Sequence, residues 1–255
     1  MVCTYKLYLL NRHLFVDLPE GRALIDTGAP FSSSTTGRLT WQNQNHGVNK
    51  GGYMGFTFDK LSAEIGVQVD ALLGMDLLAQ TTLLFDVAHR TLTAGDEMPA
   101  GFKAHPYELA PMSDLPLFQV TLNGHPARVL WDTGAQYGYY VGEYFVEGLK
   151  PLTGFRDFSP MFGDLIIPQS FTPPFTLAGH DLLEQVGRFV LTHRTAEIHL
   201  RAQPRQRHRR IARHAADATV VAVGGCLGGM CREFADAENQ VEGDVPHTQQ
   251  MLGHA

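Results

Sequence analysis

Residues 23–29 read ALIDTGA and residues 129–135 read VLWDTGA, so Asp26 and Asp132 hold the same point of two copies 106 residues apart. The flanks repeat as well. Leu14-Phe15-Val16 precedes a Pro19-Glu20-Gly21 turn, and Leu117-Phe118-Gln119-Val120 precedes an Asn123-Gly124 turn. Each turn leads into the strand that ends at the aspartate, so a hairpin is expected ahead of each Asp-Thr-Gly. Downstream, Leu72-Leu73-Gly74-Met75-Asp76-Leu77-Leu78 matches Leu177-Ala178-Gly179-His180-Asp181-Leu182-Leu183. Self-similarity kept in register over such a length bears on the architecture before any single residue is interpreted.

In each copy the second motif predicts a short helical stretch and then a strand pair. The pairs are Leu83 to Val87 with Thr91 to Thr93, and Phe189 to Thr192 with Ala196 to Leu200. Short strands bounded by turn residues predominate, which predicts a mostly β class. The division that follows is a first lobe over 1–97, a Pro/Gly-marked connection over 98–116 and a second lobe over 117–203. The connection is expected to add a strand through Tyr107 to Leu109. After Arg201 the composition changes, and 204–255 reads as a tail without counterpart in the repeat, partly helical around Ile211 to Val223 and otherwise flexible.

With 255 residues, 44% hydrophobic and 18% charged, the chain is neither collagen-like, coiled-coil nor disordered throughout. A net charge of −6 argues against binding nucleic acid by phosphate neutralisation, so no nucleic-acid partner is expected. The cluster Arg205, Arg207, Arg209, Arg210 and Arg213 reads as a solvated tail rather than a docking patch. Three cysteines, Cys3, Cys226 and Cys231, make no disulfide framework, and the C-x4-C pair lacks the second Cys/His pair of a zinc site. Met1 to Leu10 lacks the pattern of a secretory signal, and the apolar stretch Ala218 to Met230 is shorter than the ~20 residues a membrane helix requires. The expected setting is cytoplasmic, with no membrane span.

An isolated Asp-Thr-Gly reads equally well as an ordinary turn. Two copies in matched apolar settings point to a shared site, because a two-fold relation brings equivalent turns face to face. Two carboxyls that meet there cannot both ionise easily, so they hold one proton between them and supply an acid and a base together. The ionised member can activate water for attack on a peptide carbonyl while the protonated member donates to the carbonyl oxygen. Neither a metal nor a cofactor is called for. Gly28 and Gly134 allow close approach of the two backbones, and the Thr27 and Thr133 hydroxyls can bond across the axis.

These motifs, ALIDTGA and VLWDTGA each followed by Leu-[Leu/Ala]-Gly-x-Asp-Leu-Leu, resemble the two signatures of retropepsin-like aspartic proteases, over about residues 5–201. The chain also resembles pepsin-like enzymes in carrying both signatures on one polypeptide. The resemblance implies a bilobal acid protease fold: two closed, barrel-like β lobes related by pseudo-two-fold symmetry, with short helices. It implies an aspartic endopeptidase acting on polypeptides, with Asp26 and Asp132 catalytic and Gly74 and Gly179 crossing behind the Asp-Thr-Gly loops to support them. A monomer with pseudo-dimeric lobes is expected. The resemblance further implies a glycine-containing flap hairpin within Gly47 to Lys60, where Gly51, Gly52, Tyr53 and Met54 would face substrate. In the second copy Thr153 to Asp164, with Phe155, Phe158 and Phe162, reads as a second flap or a pocket wall. Ala29 and Ala135 stand where pepsin-like enzymes carry a hydroxyl residue that lowers the dyad's pKa, so activity is expected at mildly acidic to neutral pH. His180, paired by position with Met75, is expected to be structural. The rival reading is a catalytically silent peptide-binding or adaptor module of the same fold. A third is a precursor whose tail regulates the cleft.

Overall fold

The structure is a computed structural model, and it describes residues 2–96, 107–110, 113–177, 180–188 and 220–222. Strands β1 (Cys3–Leu10), β2 (His13–Leu18) and β3 (Gly21–Ile25) form a meander that ends beside Asp26. The turn into β2 places Asn11 and Arg12 at φ 47° and 65°, a geometry whose twist suits a two-residue hairpin. Both faces of β2 and β3 are covered. Leu14, Val16, Ala23 and Ile25 enter a core with Trp41, Leu73 and Leu92, while Phe15 and Leu24 pack with Phe58, Leu61 and Leu72. Two-sided burial explains why these segments read as nearly continuous apolar runs rather than alternating ones.

Beyond Asp26 come β4 (Ser33–Ser34), β5 (Arg38–Trp41), β6 (Gln44–Gly47) and β7 (Asn49–Lys50). Helix α1 (Phe58–Ile65) starts at a Thr57 cap whose side chain accepts from the Lys60 N–H, and it stops at Gly66 in the left-handed conformation. Strand β8 (Ala71–Leu73) then returns parallel to β3, pairing Leu73 with Ile25. Helix α2 (Met75–Leu78) follows, then the antiparallel pair β9 (Thr82–Asp86) and β10 (Thr91–Gly95). Eight of these strands form one sheet in the order β7-β4-β8-β3-β2-β1-β10-β9, and β5 and β6 pair separately.

The rest of the described chain builds two further sheets. Strand β11 (Glu108–Leu109) lies in the expected connection and pairs with β12 (Pro116–Leu122), whose other edge carries β13 (His125–Leu130). Next are β14 (Gly138–Tyr140), the long hairpin β15 (Leu152–Ser159) and β16 (Gly163–Phe171), the pair β17 (Pro174–Leu177) and β18 (His180–Leu183), β19 (Val186–Arg188) and β20 (Val220–Ala222). Their orders are β11-β12-β17-β18 and β15-β16-β19-β14-β20. Val120, Leu122, Val129, Tyr140, Phe145 and Phe175 share one core. The molecule is mostly β, as the strand and turn pattern predicts.

Three expectations are corrected. No sheet closes into a barrel among the described residues; the eight-stranded sheet ends at β7, two exposed residues too short to carry a closing ladder. The second copy has no helix after its Leu-Ala-Gly motif: His180–Leu183 is a strand, and β17 joins β12 rather than running parallel to β13. Ser32 explains the difference. In the first copy its N–H and hydroxyl both donate to Asp76 Oδ1, at 2.8 and 2.6 Å, and its Oγ accepts from the Gly74 N–H at 2.9 Å. The residue 106 positions on is Gly138, which has no hydroxyl, and Asp181 instead accepts from Thr176 Oγ1 at 2.8 Å across the β17–β18 hairpin. Last, the part of the helix expected over 211–223 that is described, Val220–Ala222, is a strand on β14, in keeping with its β-branched residues. The strand pair expected over 189–200, Cys226, Cys231 and the arginine cluster lie outside the described residues.

Candidate active site

Asp26 leaves the end of β3 with its N–H bonded to the Leu73 carbonyl at 2.9 Å, so the parallel β3–β8 pair fixes where the first Asp-Thr-Gly turn begins. The two turns then lock into one another. Thr27 N–H donates to Thr133 Oγ1 and Thr133 N–H donates to Thr27 Oγ1, both at 3.0 Å. Each hydroxyl passes its own proton on at 2.7 Å, Thr27 to the Trp131 carbonyl and Thr133 to the Ile25 carbonyl. Thr133 is 1% exposed and Thr27 8%, so these four bonds are shielded from water.

The lock brings the carboxyls together. Within each turn the glycine N–H donates to its own aspartate at 2.9 Å, Gly28 to Asp26 and Gly134 to Asp132. A methyl at Gly28 would overlap the Asp132 carboxyl, and one at Gly134 would overlap the Asp26 carboxyl. Each carboxyl therefore lies against the opposite backbone, and the two share a hydrogen bond. Burial and the neighbouring Asp132 charge push Asp26 well above the usual carboxylate range. Burial also raises Asp132, while the Gly134 N–H, the bond from Asp26 and the Ala135 N–H restrain it. Both carboxyls are held above the usual range and the pair titrates as a unit that shares a single proton.

Gly74 lies close behind the first turn: a side chain there would strike the Ala29 and Phe31 backbones. Gly179 lies outside the described residues, and of His180 only its backbone place in β18 is described.

The segment expected as the first flap is not a long hairpin. Gly47 ends β6, Gly51 and Gly52 follow β7 with φ 97° and 146°, and Tyr53 to Phe56 is a tight turn closed by a single bridge, with Met54 exposed at its tip. Residues from Phe58 onward belong to α1, whose Thr57 cap ends any extended pairing. Tyr53 nevertheless belongs to the apolar cluster that contains Ala29, and burial together with the charges of Asp26 and Asp132 raises its phenol.

The larger hairpin is β15–β16. Its Phe158 ring meets Phe56 edge-on at 5.0 Å and joins the apolar cluster that contains Ala29 and Tyr53. This segment of the second copy thus packs against Phe56 of the first. Sequence reading missed two polar residues here: Tyr139 Oη donates to Asp157 Oδ2 at 2.5 Å, and Asp157 Oδ1 accepts from the Phe158 N–H at 2.8 Å. Asp157 shares a face of β15 with Phe155 and lies on the face opposite Phe158, which only the pairing of β15 with β16 reveals. No protein-family model and no curated protein matches the chain.

Proposed function

We propose that this chain is an aspartic endopeptidase of the retropepsin-like type, with two fused halves arranged as a bilobal, pseudo-two-fold monomer. The observation that carries the reading is the reciprocal Thr27–Thr133 lock, which sets two proton-sharing carboxyls against each other. In this mechanism the ionised member of the Asp26–Asp132 pair takes a proton from water as the water oxygen attacks the scissile carbonyl carbon. The protonated member gives its proton to the carbonyl oxygen, forming a neutral tetrahedral diol. Collapse breaks the C–N bond as the carboxyl that took water's proton gives it to the departing nitrogen and the other takes one from a diol hydroxyl, so a carboxylic acid and an amine leave and the dyad again holds one proton. Tyr53 and the β15–β16 hairpin, with Phe56 and Phe158, form apolar walls for an extended polypeptide.

The altered support behind the second turn favours a second reading, a peptide-binding or adaptor module without turnover. One experiment separates them. Wild type, Asp26→Asn and Asp132→Asn are incubated with a proteome-derived peptide library and cut sites are mapped by mass spectrometry. The endopeptidase reading expects cleavage by wild type alone, blocked by pepstatin-type or retroviral-type inhibitors, and a loss of about 10²- to 10⁴-fold in either variant. Equal cleavage by all three proteins overturns the dyad, and peptide binding without cleavage supports the adaptor.

A further inference from the structure

Strand β15 carries Phe155 on one face and Phe158 on the other, and each ring meets an aromatic residue from outside the β15–β16 hairpin. On the first face Phe155 stacks on Tyr137, with ring centroids 3.9 Å apart and planes 12° from parallel, and the Arg12 guanidinium lies 4.5 Å over the same Tyr137 ring. On the second face Phe158 meets Phe56 edge-on at 5.0 Å, and the Lys60 ammonium lies 4.3 Å over the Phe56 ring. The hairpin is held from both sides, and each hold carries a cation from the first copy. Arg12 belongs to the two-residue β1–β2 turn, at φ 65°, so a short fixed turn rather than a long loop presents its side chain. Tyr137 lies five positions beyond Asp132, and its counterpart 106 positions earlier, Phe31, is 60% exposed. An Asp-Thr-Gly turn therefore folds without a covered ring at that position, and the covered ring of the second copy serves the hairpin rather than the turn.

We infer that Arg12 is a positioning residue of the proposed peptidase: acting through the Tyr137–Phe155 stack, it holds the β15–β16 hairpin closed against the first copy, and release of that hold is the step that admits a polypeptide. The inference rests on the endopeptidase reading above. Phe56 and Phe158, the walls assigned there to the substrate, touch each other, and rings 5.0 Å apart leave no room for a chain between them. The hairpin has to move before a polypeptide can lie there. A guanidinium is charged at any pH the protein meets, so the hold does not depend on titration. The same charge favours the Asp157 carboxylate, which shares the Phe155 face of β15. A cation over a partly buried ring contributes far less than a buried core side chain, which suits a contact that opens and closes.

The test compares full-length wild type, Arg12→Gln, Arg12→Lys and Phe155→Leu by hydrogen exchange and by stopped-flow binding of a pepstatin-type inhibitor. Arg12→Gln should speed exchange over 152–171 by about three- to tenfold and leave β2 and β3 as they are. Association and dissociation of the inhibitor should both rise by that factor while Kd stays within about twofold, because the hold is present in the free and in the bound closed state and absent from the open one. A residue that only stabilised the fold would not move the two rates together. Arg12→Lys, which keeps a cation without the planar guanidinium, should fall between wild type and Arg12→Gln. Phe155→Leu reaches the same contact from the hairpin and should reproduce Arg12→Gln, so it decides if Arg12→Gln does not fold. Unchanged exchange over 152–171, acceleration spread evenly along the chain, or a shifted Kd with an unchanged association rate overturns the inference even if peptides are cleaved. Faster exchange confined to the hairpin, in a protein that neither cleaves peptides nor binds the inhibitor, leaves the Arg12 hold standing and sinks the endopeptidase reading.

Discussion

Thr27 and Thr133 each use one hydroxyl twice, accepting from the opposite N–H and donating to a carbonyl just ahead of the opposite aspartate. Replacing Thr27 by Ala removes the partners of two backbone groups, the buried Thr133 N–H and the part-buried Trp131 carbonyl. A buried group left unpaired costs its full desolvation, so Thr27→Ala should lower unfolding free energy by about 2–4 kcal/mol, while Thr27→Ser retains most of it. Urea unfolding midpoints measure both, and a Thr27→Ala midpoint equal to wild type would show that the lock carries no stability. Gly28 makes a different demand. A methyl there meets the Asp132 carboxyl, so Gly28→Ala should separate the two acids and cost about 10²-fold or more in turnover. An active Gly28→Ala protein would mean that the carboxyls need not approach as they do here.

At the scale of elements, the first Asp-Thr-Gly segment was readable because several local signals agree: apolar β2 and β3, the Pro19-Glu20 turn, and Gly74 backed by an apolar β8. The second was readable only up to Asp132. Its Leu-Ala-Gly copy looks alike in one dimension, yet Gly138 in place of Ser32 removes the hydroxyl that ties Asp76 and Gly74 together, and Thr176 takes Asp181 into a hairpin instead. That exchange depends on residues more than forty positions apart, which periodicity does not register. Nor did the glycines at 51 and 52 reveal that Thr57 starts a helix that cuts the first flap short. Ser32→Ala should therefore destabilise the first copy by about 1–3 kcal/mol, through the unpaired Gly74 N–H. For the β15–β16 hairpin the holding contact is aromatic. Phe158→Ala should weaken it by about 1 kcal/mol, roughly fivefold faster hydrogen exchange in Leu152–Phe171, with little change in β1–β3. Uniform acceleration across the chain would instead assign Phe158 to the common core.

For the molecule as a whole, the dyad ties folding to pH. In the unfolded chain Asp26 releases its proton near the ordinary Asp value, about 3.9, whereas the folded carboxyl holds it to higher pH because it is buried beside Asp132. Between those two values the folded state binds more protons than the unfolded state, so stability falls as pH rises. The contribution is complete below the unfolded value and is lost as pH passes through the folded one. Asp132 and Asp157 act in the same direction, since burial raises both. Asp17 and Glu20 run the other way: bonds from Tyr8, Arg22 and Thr40 outweigh their desolvation, and their contributions are lost on acidification. Thermal melts of wild type should thus decline from about pH 4 toward neutrality, against the usual acid-side loss. Asp26→Asn removes one proton-binding group that titrates differently in the two states, so its melting temperature should vary less over that window and exceed that of wild type at neutral pH. Parallel curves for the two proteins would mean that folded Asp26 releases its proton as readily as the unfolded chain does, and the dyad would then hold no shared proton with which to begin catalysis.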